Sequence, residues 1–189
     1  MGHSDEEPMI KGLAFSSVVG TLEKLRGSGA VQELMDGLPP ELAVRIRQQQ
    51  ILVAGWYPVA DYRELLAGLR GLGGDALLRE VGAESIRSDL NSIHRMLLRM
   101  LSPSTLVMIS QRMFSRYFTR GCIVATERGD NYLHAHYTDC QGWSRDIWVE
   151  QFAGAETFLQ LAGVRSISVR RLQGGREGDT EALLEVRWT

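Results

Sequence analysis

His134 and His136 stand two residues apart in a run that alternates polar and apolar side chains, so on a strand both imidazoles face the same way. A three-residue hairpin loop before Tyr132 would bring Cys122 and Cys140 onto that face. Two thiolates with two imidazoles make a tetrahedral zinc set. A loop one residue shorter or longer turns Cys122 to the opposite face. The spacing is irregular for zinc, so no metal is assigned, and the two histidines are expected to decorate the polar outer face of a half-buried sheet.

Other reactive side chains are scattered. His94 lies beside an apolar helical stripe, where an axial haem ligand or a general base could sit, but such a residue is more often a core-edge histidine satisfied locally. Arg112, Arg116 and Arg120 recur every four residues and form one basic stripe, able to hold an anion or an acidic partner and ordinarily a solvated face. Ser16, Ser17, Ser110 and Ser115 lack nucleophile-elbow glycines. The carboxylates Asp61, Glu64, Glu80, Glu84 and Asp89 show no pairing for acid–base work. No catalytic residue and no cofactor is assigned, and the chain is not expected to be an enzyme. The aromatic and methionine residues Trp56, Tyr62, Met96, Met113, Phe114 and Tyr117 are the candidates for lining an apolar ligand pocket.

Composition sets limits on partners. The chain has 189 residues, 44% hydrophobic, with 21 basic and 23 acidic side chains for a net charge of -2. That balance lacks the basic excess that phosphate-backbone binding demands, so nucleic acid is not expected as a partner. No apolar run approaches the roughly 20 residues of a membrane span, and the opening MGHSDEEP does not resemble a signal peptide. With two cysteines expected to stay reduced, the chain reads as cytoplasmic. Residues 1–8 are expected to form a mobile tail and residues 9–189 one domain.

The elements that would position these side chains fall into two halves. Ile10 to Leu25 reads as a helix, or a short extended entry followed by one, stopped at Gly27 to Gly29. Pro39 and Pro40 open a helix that fades near Ile51. A turn at Trp56 to Pro58 precedes a helix through Leu65, Leu66 and Leu69, ended by Gly71, Gly73 and Gly74. The longest helical pattern spans Asp75 to Leu101, with Gly82 a point where it could divide. Ser102 and Pro103 start another helix, running to about Arg120. After Gly121 the period changes. Cys122 to Glu127 and Tyr132 to Asp139 form a hairpin, Trp143 to Ala162 a helix, and Ser166 to Leu172 with Ala182 to Trp188 a second hairpin. The expected fold class is α+β: a helical layer packed on a four-stranded antiparallel sheet built from two hairpins separated by a helix.

The segments IKGLAFSSVVGTLEKL, WYP followed by YRELLAGL, VGAESI, LSPSTLVMISQRMFSRYFTRG, AGAETFLQLAGVRSISV and LLEVRW resemble a paralogous family of uncharacterised myxobacterial proteins of similar length. The arrangement is similar in turn to haem nitric-oxide-binding, four-vinyl-reductase and TRAPP-type domains. That resemblance implies a sensing or scaffold fold that holds a small apolar ligand between helices and sheet, or dimerises through helices. The haem-binding members use a helix histidine with a Tyr-x-Ser-x-Arg clamp; Tyr117-Phe118-Thr119-Arg120 lacks both its spacing and its serine, and His94 alone implies no haem site. The expected function is therefore a non-enzymatic interaction or signalling module, TRAPP-like, acting on a protein partner or as a homodimer. The alternative is a sensor that binds a small apolar ligand between helices and sheet.

Overall fold

Strand β1 (Met9–Lys11) runs directly into helix α1 (Gly12–Arg26), so the extended entry and the helix are both present. The fold is given by a computed structural model that describes residues 6–89, 103–164 and 166–189. Pro8, placed by the sequence in a mobile tail, accepts a hydrogen bond through its carbonyl from the Val59 amide at 2.9 Å. The Gly27 stop lasts one residue. Its φ of 81° breaks α1, and α2 (Ser28–Gly37) starts immediately, a helix that the glycine cluster hid in the sequence. Helix α3 (Pro40–Arg47) follows, with Pro40 in the first turn, Glu41 at its positive end and Arg45 and Arg47 in its last turn.

Trp56 to Pro58, expected as a turn, is a short strand, β2, paired antiparallel with β1 through Ile10 and Tyr57. Helix α4 (Val59–Asp89) is interrupted within the glycine cluster where a break was expected. Gly73 and Gly74 leave helical geometry, Gly74 with φ 63°, so two helical segments meet at a two-residue kink rather than across a longer loop. Gly82 does not divide the helix. A β-carbon there would lie 2.5 Å from the Glu150 backbone oxygen, so the glycine marks a close helix crossing. Helix α5 (Pro103–Tyr117) is shorter than the sequence pattern suggests.

The sheet is the expected one. Strands β3 (Cys122–Gly129) and β4 (Tyr132–Thr138) form one hairpin, helix α6 (Arg145–Leu161) crosses over, and β5 (Ser168–Gly174) and β6 (Ala182–Arg187) form the other. The order is β3-β4-β6-β5, all antiparallel, so the hairpins join through β4 and β6. Ser144 caps α6 by accepting from the Ile147 amide, with Asp146 in the first turn. Leu133, Ala135 and Tyr137 of β4 and Leu184 and Val186 of β6 point to the helices and are buried. Trp143 and Trp148, with ring centroids 4.4 Å apart, extend this core with Phe114, Phe118 and Tyr137. None of the described helices is long and apolar enough to cross a membrane.

Candidate functional site

On β4 the alternation sends His134 and His136 to the outer face, opposite Leu133, Ala135 and Tyr137. The hairpin loop has two residues, Asp130 and Asn131, which alone would turn Cys122 away from them. A bulge between Ala125 and Glu127 shifts the register by one and pairs Cys122 with Thr138, restoring it to the histidine face. Cys140 does not follow. Asp139 takes φ 53°, the strand ends, and the Cys140 thiol turns into the core, where burial pushes its pKa up to about 12. The histidines have carboxylate neighbours instead: His134 lies 3.1 Å from Glu127 and 3.6 Å from Glu185, and His136 lies 3.5 Å from Glu181. Among the described residues no group of three or more His, Cys, Asp or Glu is arranged for a metal ion.

Glu185 organises this outer face. Arg187 and Arg170 each reach its carboxylate, at 3.0 and 3.1 Å, and their hydrogen bonds, Arg187's foremost, hold its pKa down to about 2. Along the basic stripe, Arg112 and Arg116 are exposed, while Arg120 lies 3.7 Å from Asp139. His94 and Met96 lie outside the described residues.

The inner face holds a cavity of about 160 Å3 between the sheet and helices α1, α4, α5 and α6. Helical spacing on α5 puts Met113, Phe114 and Tyr117 on one face, and all three line it, as does the buried Tyr62 of α4. Of the remaining candidates, Trp56 is elsewhere: it sits on β2, 38% exposed, with the Lys11 ammonium 3.9 Å over its ring. Trp56 pairs with Lys11, next to the buried Ile10 that lines the cavity, so strand alternation turns it to the opposite, exposed side.

The sequence reading missed the polar part of this wall. Glu150 of α6 lines the cavity while 7% exposed, and its one side-chain hydrogen bond among the described residues comes from the Gln151 amide at 2.8 Å. Burial, helped by the nearby Asp89 charge and opposed by the Gln151 bond, pushes its pKa up to about 7. At the rim, Tyr117 donates to Asp89 at 3.1 Å. Asp89 is exposed as a residue, yet the wall it meets strips part of its solvation and raises its pKa, against the hydrogen bonds from Tyr117 and Ser17. Burial likewise raises the phenols of Tyr62, Tyr117 and Tyr137. Thr21 and Ser85 share a buried hydrogen bond at 3.2 Å that ties α1 to α4 beside the cavity. Only the helical step from Ile147 through Glu150 and Gly154 to Phe158 hinted that Glu150 would face inward, and it is equally compatible with a solvated acid.

No protein-family model matches the chain, and no curated protein sequence matches it. Solved structures do. The Fe(II) unliganded H-NOX protein from K. algicida is similar with a TM-score of 0.66 at 17% identity, covering 95% of this chain and 97% of that one. An oxygen-binding H-NOX domain related to soluble guanylate cyclases, solved as its oxygen complex, aligns with a TM-score of 0.63 at 15% identity, covering 95% of each chain. A structure from work on haem distortion in the H-NOX family gives 0.61 at 15%, again over 95% of each. The chain therefore has the α+β fold of H-NOX domains, as the family resemblance implied.

Haem, named for that family, does not fit the described residues. The cavity is smaller than the ~300–1,000 Å3 of ordinary cofactor sites. No Lys, Arg or His among the described residues lines it to meet haem's two carboxylates, whereas Asp89 and Glu150 would face them. After Tyr137 the clamp spacing carries Asp139 and Gln141 in place of serine and arginine, and the Gln141 amide bonds Asp139.

Proposed function

We propose that the chain is a non-enzymatic small-molecule sensor whose ligand occupies the cavity between the helices and the inner face of the sheet. The observation that carries this reading is the cavity itself: apolar walls from four helices and a sheet, with a few polar groups converging on it. An aliphatic and aromatic cavity of about 150 Å3 admits benzene or xenon, so the ligand is of the order of a single ring. The likeness to H-NOX domains supports the same reading at the level of fold.

Sequence pattern alone puts a partner-binding or self-associating module first and a sensor second. The cavity reverses that order. A ligand inside it touches α4, α5, α6 and the sheet together, so occupancy would alter how the helical layer sits on the sheet, and a binding event would be felt at the surface. This is tested by titrating the protein with toluene and following methyl resonances by NMR. Shifts largest at methyls of the cavity wall such as Met113, Ala135 and Leu184, saturating with a single Kd, are expected. Resonances that stay still throughout the titration would overturn the sensor reading.

A further inference from the structure

Resting on the sensor reading above, we propose that the ligand is a small organic cation, an apolar body of about one ring carrying an ammonium group, with Glu150 as its counter-ion. Glu150 is 7% exposed and faces the cavity, and one hydrogen bond from the Gln151 amide, on Oε2, is all that its carboxylate receives among the described residues. A buried carboxylate with so few partners is costly in an apolar wall. No Lys, Arg or His among the described lining residues supplies the missing charge, and Asp89 adds a second acid at the rim. A cation brought by the ligand offsets both costs at once.

The rest of the wall matches such a guest. Tyr62, Phe114, Tyr117 and Tyr137 put aromatic rings around the same space, and ring faces attract cations most when both are shielded from water. An acid set among aromatic rings recognises an ammonium on a hydrocarbon body and rejects an anion of the same shape. This is the opposite polarity to a site for a carboxylate-bearing macrocycle, and it accounts for the misfit of haem. The Glu150 carboxylate would accept two charge-assisted hydrogen bonds from the ammonium, which are about twice as strong as neutral ones.

The test is a ligand series of nearly constant shape, measured by calorimetry and methyl NMR on the full chain at pH 8: benzylamine as cation, toluene as neutral isostere, benzoate as anion. Benzylamine is expected to bind at least about tenfold tighter than toluene, and benzoate not at all. Glu150→Gln should cut benzylamine binding about tenfold and leave toluene within twofold. Toluene matching or exceeding benzylamine, with cavity methyls shifting, would overturn the cation assignment and leave the sensor reading standing. Failure of both ligands would sink the two together. Preference for benzylamine that survives in Glu150→Gln, with circular dichroism showing a folded variant, would overturn Glu150 as the counter-ion. The wild-type series decides the charge preference without any variant.

Discussion

The phenol of Tyr117 on α5 donates to the Asp89 carboxylate on α4 at 3.1 Å, spanning the mouth of the cavity. Each of the two residues changes the other's protonation. The hydrogen bond lowers the Asp89 pKa against the rise that lost solvation causes, and the Asp89 charge adds to the burial that raises the Tyr117 phenol. Tyr117→Phe should therefore raise the Asp89 pKa further above its ordinary value, read directly by carboxyl-carbon NMR. Because Asp89 is exposed, the loss of stability should be small, about 0.5–1 kcal/mol. An Asp89 pKa unchanged by the substitution would show that the bond is not formed in solution.

Glu150 makes stability depend on pH in a definite direction. Its ordinary pKa is near 4.5 and its folded pKa about 7, so the folded chain holds the proton more tightly than the unfolded one. Stability from this residue is full below about pH 4.5 and is lost as pH rises toward 7, levelling above it. The size is of the order of 3 kcal/mol, and Asp89 and Asp146, also raised, act in the same sense. Urea midpoints measured from pH 5 to pH 8 should fall for the wild type. Glu150→Gln should flatten that fall and be the more stable protein at pH 8.

At Gly82 packing and helix propensity pull in opposite directions. Alanine favours a helix over glycine by about 1 kcal/mol, yet its β-carbon at position 82 would meet the Glu150 carbonyl oxygen at 2.5 Å. Backbone cannot retreat as a side-chain tip can, so the clash wins, and Gly82→Ala should destabilise by about 1–3 kcal/mol. Gly71, helical with open space where its β-carbon would be, provides the control. Gly71→Ala should raise Tm while Gly82→Ala lowers it, both by calorimetry.

The outer face of the sheet makes a separate prediction. Glu185 is held near pKa 2 by Arg187 first and Arg170 second, so it should remain ionised when other carboxylates have titrated. In Arg187→Ala its carboxyl resonance should titrate at a clearly higher pH. The stability it contributes is present above its unfolded pKa and lost as pH falls toward 2, opposite in sense to Glu150. An unchanged Glu185 titration in the variant would rule out the Arg187 pairing.

Much of the architecture was legible because it rests on local periodicity. The alternation of Leu133, Ala135 and Tyr137 against His134 and His136 announced both the strand and its two faces, and Met113, Phe114 and Tyr117 announced the buried face of α5. Local signals misled where one residue type has two uses. Gly27 ended one helix and allowed another to start at once, and Gly73 and Gly74 made a kink where a loop was expected. Trp56 had the right chemistry for a pocket but pairs with Lys11 on the exposed side of its strand, opposite the side on which Ile10 lines the cavity.

The amino-acid sequence by itself determined the α+β class, the two hairpins on either side of a helix, and the inward face of each strand, because periods of 2 and 3.6 are properties of neighbouring residues. Only the tertiary structure decided which chemistry those faces enclose. The bulge at Ala125 to Glu127 returns Cys122 to the histidine face, but the left-handed Asp139 just past the end of the strand sends Cys140 inward, and that one backbone turn undoes a metal set that spacing alone left open. Glu150 became the central polar group of the cavity only when Gly82 let α4 press against α6, a contact between residues 68 positions apart, and the burial that perturbs its proton exists only once they meet.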